Sequence, residues 1–194
     1  MIGGRSFARF SVLMSICEIE GIAHFLLEKR AAGIRQGGEI SFPGGAMEPQ
    51  DKNPGETALR ETLEELKLPP GDVRLLGKYG AQLTPFGSVI YCYLGLLHIR
   101  DLASVQPDPA EVERLITVPL DFFADTPPRR EKIRIVNTPS DYMKTSNIPD
   151  HYHEPWGGFA RDVFFWEYEG DVIWGLTAGI IHDFTERLKN LGGK

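Results

Sequence analysis

One segment of this chain is bounded as a helix at both ends, and nearly everything around it reads as strand. Asn53-Pro54-Gly55-Glu56 is a start signal, with Asn53 as the N-cap, Pro54 at the first helical position and Glu56 where a capping box places its carboxylate. Pro69-Pro70-Gly71 cannot continue a helix, so it runs from 54 to about 67. Upstream, RFSVLMSICEIEG and IAHFLLEKR read as two strands joined at Gly21, and ISFPGG as a short strand that ends at Pro43-Gly44-Gly45. Downstream, DVRLLGKYGAQL and SVIYCYLGLLHI are strands separated by a TPFG turn, and ERLITV is a short strand leading into PLDFF. So many strands with so few helices predict an α/β or α+β sandwich rather than a doubly wound sheet.

The texture changes between about 124 and 161. TPPRREK, NTPSDYMK and NIPDHYHEPWGG combine proline, aspartate, asparagine and aromatics without clear periodicity, which predicts a structured lid or a partner-contacting loop inserted into the domain. Strand texture returns at DVFFWEYEGDVIW, and an apolar-periodic helix, GLTAGIIHDFTERLKNL, closes the chain before Gly192-Gly193. At 194 residues the chain supports one substantial core, so residues 1–194 are read as a single domain.

Several classes are disfavoured by composition. Cys17 and Cys92 make no disulfide framework and no zinc spacing, and both are expected to be buried small hydrophobes. A net charge of −6 leaves no basic footprint for nucleic acid. The longest apolar run falls short of a membrane span, and MIGGRSFARF lacks the apolar core of a secretory signal, so no membrane partner and a cytoplasmic location are expected.

The helix carries the chemistry. At roughly 100° per residue, Glu61, Glu64 and Glu65 share one arc, with Leu59, Leu63 and Leu66 opposite, so the leucines are expected to face the core and the glutamates to face outward together. Like charges at these spacings repel by a few tenths of a kcal/mol per pair, roughly. A hard divalent cation, Mg²⁺ or Mn²⁺, turns that repulsion into binding. Gly44-Gly45, just upstream, lets backbone approach such a site where a side chain would obstruct it.

Residues 45–68, GAMEPQDKNPGETALRETLEELKL, resemble the Nudix box, through Gly45, Arg60-Glu61, Glu64-Glu65 and Leu68. Asp51 stands where glutamate is usual, one extra residue separates it from Arg60, Thr62 fills an aliphatic place and Lys67 replaces a late glycine. The preceding LLEKRAAGIRQGGEISFPGG resembles the signature of coenzyme A pyrophosphatases, with Glu28 in place of threonine and one residue fewer between Arg35 and Gly38. VIWGLTAGI near the C-terminus is similar as well, so the resemblance covers about 10–123 and 162–190.

The resemblance implies an α/β/α sandwich on a mixed sheet and metal-dependent hydrolysis of coenzyme A or a derivative to 3′,5′-ADP and 4′-phosphopantetheine. Alternatives are ADP-ribose or NADH as substrate, or a Nudix-fold sensor or partner-binding module without turnover. Glu61 and Glu65 are the expected metal ligands, with Glu64 a further ligand or the group that orients the attacking water. Arg60 is expected to fix the rotamer of a box glutamate, and Glu111 is the candidate general base. Arg30 and Arg35 suit phosphate contacts, beside Gly44 and Gly45. Asp51 is read as a supporting carboxylate or a turn-former. His151 and His153 are read as lid surface, Tyr152 and Trp156 as a stacking surface or insertion core, and Trp174 as core. Homodimers are common among similar proteins, which makes a homodimer the assembly to look for.

Overall fold

The computed structural model describes residues 7–85, 87–99 and 101–192. Phe86 of the expected TPFG turn, Gly193 of the expected helix stop, and most of the N-terminal MIGGRSFARF segment lie outside the described residues. Strands β1 (Ala8–Ile19) and β2 (Ile22–Arg30) form an antiparallel hairpin. Its two-residue turn places Glu20 at φ 51° and Gly21 at φ 81°, the left-handed pair that matches the twist of a tight hairpin. Then follow β3 (Ile40–Ser41), β4 (Gly44–Ala46), helix α1 (Pro54–Leu66), β5 (Val73–Leu83), β6 (Ser88–Leu97) and β7 (Val112–Pro119). These seven strands make one sheet in the order β3-β2-β1-β6-β5, with β4 also paired to β1 and β7 to β2. The β1–β6 pair is parallel and the others are antiparallel, so the sheet is mixed.

Strand alternation divides this sheet into two apolar faces. Leu13, Cys17 and Leu26 point towards α1 and cluster with its Ala58 and Leu66. Met14, Phe25 and Leu27 point the other way. There the chain adds α2 (Leu120–Asp125), β8 (Arg129–Asn137), α3 (Asp141–Thr145), β9 (Trp156–Tyr168), β10 (Asp171–Trp174) and α4 (Gly175–Gly192). Phe123, Trp166, Ile173, Ile181 and Phe184 from these elements pack with Phe25 and Phe42. The layers are therefore α1, the mixed sheet, and α4 with a small antiparallel sheet ordered β10-β9-β8. Among the described residues no helix is long and apolar enough to cross a membrane.

Two expectations need correction. The stretch 124–161 is not merely a lid or loop: it contains all of β8 and the first six residues of β9. Most of β8 is exposed on both faces, so its sequence lacks the alternation of a half-buried strand. Trp174 is not core either; it is 45% exposed and stacks on Phe165 with the rings 10° apart. Cys17 and Cys92 are buried as expected, and burial pushes their thiols up to about 11 and about 12.

Candidate active site

The ends of α1 are set locally. The Asn53 side chain accepts from the Gly55 and Glu56 N–H groups, and the Glu56 carboxylate reaches back to the Lys52 N–H at 3.0 Å. At the other end Lys67 adopts the left-handed conformation, φ 50°, and the Leu68 N–H donates to the Leu63 carbonyl. The helix presents its small residues, Ala58 and Thr62, to the sheet, and both are fully buried. Close approach on that side rotates Leu59 and Leu63 to a half-buried flank. It also turns Glu65 inward, to 1% exposure, so the three glutamates do not face outward together.

Each carboxylate has a defined holder. The Gly44 N–H donates to Glu65 Oε2 at 2.8 Å. Glu61 lies directly over Gly45, where a Cβ would stand 2.4 Å from its carboxyl carbon, so only glycine leaves the space it occupies. Arg60 binds Glu61 and Glu64 at 2.9 Å each, and donates from Nε and Nη2 to the two oxygens of Asp51 at 3.0 Å. Arg60 thus clamps two of the α1 carboxylates to the preceding loop. Besides anchoring Arg60, Asp51 accepts from the Glu48 N–H and the Thr57 hydroxyl, which ties its own loop to the first turns of α1.

Two further acids enter the cluster from other elements. Glu28 follows Leu26 on the α1 face of β2; it is fully buried, and its charge repels that of Glu65. Arg30 sits beside both, with Nη1 3.4 Å from Glu28 and 3.8 Å from Glu65. Glu111 belongs to the loop before β7. That loop is docked by Asp108 N–H on the Glu65 carbonyl and by the Glu111 carbonyl on the Ala31 N–H, each at 2.8 Å. Its position lets Glu111 repel the carboxylates of both Glu28 and Glu61. Arg35 is exposed on the 31–38 loop, and its backbone carbonyl accepts from Arg30 Nε at 3.4 Å.

Burial is the main cause of the site's electrostatics. It raises Glu65 and Glu28 well above the usual carboxylate range, and their mutual repulsion raises Glu65 further. Glu61 is raised by burial and by Glu64 and Glu111, against the lowering effect of Arg60. Asp51 is held far below its ordinary value, first by its bonds to Arg60.

Among the described residues no three His, Cys, Asp or Glu side chains stand close enough to bind a metal ion together; the arginines and Gly44 hold the carboxylates instead. The donor set nevertheless fits a hard cation. It consists of carboxylate oxygens that burial and mutual repulsion destabilise as anions, one of them, Glu28 Oε2, with no hydrogen-bond partner among the described residues. The other candidates lie apart from it. His151 packs on Tyr152, which meets Trp156 edge-on, and His153 bonds the Ser146 carbonyl, as a polar aromatic surface would. A depression of about 370 Å³ at Lys67, Leu68, Asp72 and Ser104 contains none of the clustered carboxylates.

The family profile described as the NUDIX domain matches residues 9–135, which include the whole cluster. The chain belongs to the Nudix hydrolase family. It is 32% identical over 166 residues to a protein of Photorhabdus laumondii described as an uncharacterized Nudix hydrolase NudL, covering 84% of this chain and 76% of that one. It is also 31% identical over 121 residues to the human mitochondrial coenzyme A diphosphatase NUDT8, covering 61% of this chain and 51% of that enzyme, so that the match spans about half the enzyme's length. Among solved structures, a Nudix hydrolase of M. smegmatis, RenU, superposes with a TM-score of 0.48 at 22% identity, over 61% of this chain and 74% of that one. Members of the family hydrolyse pyrophosphate bonds and generally use a divalent metal. The Nudix resemblance singled out Glu61, Glu64, Glu65, Arg60 and Asp51 but passed over Glu28 as a mere departure from threonine. The period-two pattern of LLEKR was the available signal, because it places Glu28 and Arg30 on the face that carries Leu26.

Proposed function

We infer that this Nudix hydrolase cleaves the pyrophosphate bond of coenzyme A or a derivative, releasing 3′,5′-ADP and 4′-phosphopantetheine or its acyl form. The observation that carries the reading is the contact between Arg30 and Glu65. It joins the segment resembling the coenzyme A signature to the box helix in a single site. Relatives named as coenzyme A diphosphatases, the human NUDT8 and the mouse peroxisomal NUDT7, support the same reading at 31% and 32% identity.

Glu61 and Glu65 would hold Mg²⁺ or Mn²⁺, with Glu64 at the exposed edge as a further ligand or water-orienting group. When bound, the metal offsets charge on the phosphoryl oxygens and acidifies water. Arg60 fixes Glu61 and Glu64, so its part is positioning. Gly44 and Gly45 supply the close backbone on which Glu65 and Glu61 rest. Arg30 and the exposed Arg35 supply the positive charge that an anhydride with several phosphates requires from an acidic protein. Glu111 is the base that takes the proton of the attacking water; the new oxygen–phosphorus bond forms as the bridging bond breaks, and the second phosphate leaves.

The test is chromatographic. The protein and its Glu65→Gln variant are incubated with coenzyme A, ADP-ribose and NADH in Mg²⁺ or Mn²⁺. Release of 3′,5′-ADP and 4′-phosphopantetheine from coenzyme A, abolished in the variant, is expected. Cleavage of ADP-ribose or NADH alone would retain the chemistry and replace the substrate. No cleavage of any of them would favour a sensor or partner-binding role.

A further inference from the structure

We propose that Glu28 is an additional ligand of the divalent cation, in a position that the coenzyme A signature fills with threonine. The inference rests on the metal-dependent reading above and extends it to a residue of β2 that lies outside the box.

Glu28 is 0% exposed, yet its two oxygens are poorly provided for. Oε1 has the Ser41 hydroxyl at 3.3 Å and Arg30 Nη1 at 3.4 Å, both long for charge-assisted bonds. Among the described residues Oε2 has no hydrogen-bond partner. The Glu28 charge meets repulsion from the surrounding acids: it raises Glu65, itself 1% exposed, and Glu111 raises Glu28 in turn. A fully buried carboxylate with one oxygen unsatisfied is a costly arrangement in a protein core. Packing alone does not account for it, because glutamine has the same shape, carries no charge and could donate to Glu65. A divalent cation between Glu28 and Glu65 resolves the repulsion and satisfies Oε2 in one step. Arg30, at 3.4 and 3.8 Å, holds the two carboxylates too loosely to do so.

An added carboxylate raises the charge count of the site, which is what sets divalent-cation affinity in oxygen-ligand sites. This chain should therefore bind its metal before any substrate arrives, whereas a site poorer in carboxylates leans on substrate phosphates to complete the shell.

The experiment is titration of metal-free protein with Mn²⁺ alone, read by the electron paramagnetic resonance signal of free Mn²⁺ and by calorimetry, with thermal melts in EDTA. The proteins are the natural chain, Glu28→Gln, Glu28→Thr and Glu65→Gln. Binding by the natural chain without substrate is expected, weakened roughly tenfold or more in both Glu28 variants, on the scale of a lost group at a metal centre. Melting of those variants in EDTA should match or exceed that of the natural chain, since a buried carboxylate with an unsatisfied oxygen, held only loosely by Arg30, has been removed. Glu28→Thr keeps the test open if Glu28→Gln does not fold. Natural affinity in both Glu28 variants, with binding lost in Glu65→Gln, would overturn the proposal and leave the metal-dependent reading intact. Unchanged binding in all three variants would overturn both. Absence of Mn²⁺ binding to the natural chain, combined with metal-dependent turnover, would overturn the proposal alone.

Discussion

Asp51 grips Arg60 with both carboxylate oxygens, accepting from Nε and Nη2 at 3.0 Å across the joint between the β4–α1 loop and the helix. The same guanidinium reaches Glu61 and Glu64, so the rotamers of two α1 carboxylates depend on a residue that touches neither. Replacing Asp51 with asparagine removes the charge and one of the two acceptors. Activity is expected to fall roughly 10- to 100-fold, as when a supporting group behind metal ligands is lost. Steady-state kinetics at saturating Mg²⁺ measures this. Asp51→Glu, which introduces the side chain usual in the Nudix box, should retain more activity than Asp51→Asn, because the anchoring charge survives.

The Asp51–Arg60 pair also sets an acid limit on stability. Arg60 holds the Asp51 pKa below its unfolded value, so between those values the unfolded chain binds more protons than the folded one. Stability from this pair is therefore complete above about pH 4, the ordinary aspartate range, and is lost as pH falls through the lowered folded value. Urea midpoints of the natural chain and Asp51→Asn, compared from pH 7 down to the lowest pH at which both fold, should converge with acidification. A gap that stays constant below about pH 4 would mean that the charge on Asp51 contributes nothing to stability.

What the sequence showed and what it hid divide by range. Asn53 and Pro54 mark the start of α1 because capping is decided within four residues. Gly21 marks the β1–β2 turn for the same reason. The burial of Glu65 was not legible, because it depends on which side of α1 the sheet approaches, and Ala58 and Thr62, not the leucines, permit the closest approach. Strand β8 was hidden because most of its residues meet solvent on both faces, so its pairing with β9 leaves no alternation. Glu28 belongs to the cluster only through the pairing of β2 with β1, β3 and β7, a set of contacts that no local window contains.

Lys67 occupies a backbone conformation better suited to the glycine it replaces. Its φ of 50° closes the C-terminus of α1, and the Leu68-to-Leu63 hydrogen bond completes the turn. For a residue with a Cβ that conformation costs about 1 kcal/mol or more. Glycine recovers most of that, less its own entropy in the unfolded chain. Lys67 also lies 3.6 Å from Asp108, but both side chains are well exposed and such a pair contributes little. Lys67→Gly is expected to stabilise the protein by about 0.5–1 kcal/mol, seen as a higher denaturation midpoint without change in slope.

Gly44 and Gly45 are adjacent but should fail differently when enlarged. A Cβ on Gly44 would lie 2.3 Å from the backbone oxygen of Ser11, at a φ of 152°, and neither the strand nor the turn can yield. Gly44→Ala is expected to destabilise the fold by several kcal/mol, the mark of overpacking combined with backbone strain. A Cβ on Gly45 would instead come nearest to the carboxylate end of Glu61, 2.4 Å away, and that side chain can swing aside. Gly45→Ala should therefore fold with a melting temperature near that of the natural chain while its hydrolytic activity drops, because Glu61 has left Arg60 and the cluster. Circular dichroism melts and turnover assays on the two variants separate the cases. A fully active Gly45→Ala protein would show that Glu61 is not needed where this structure places it.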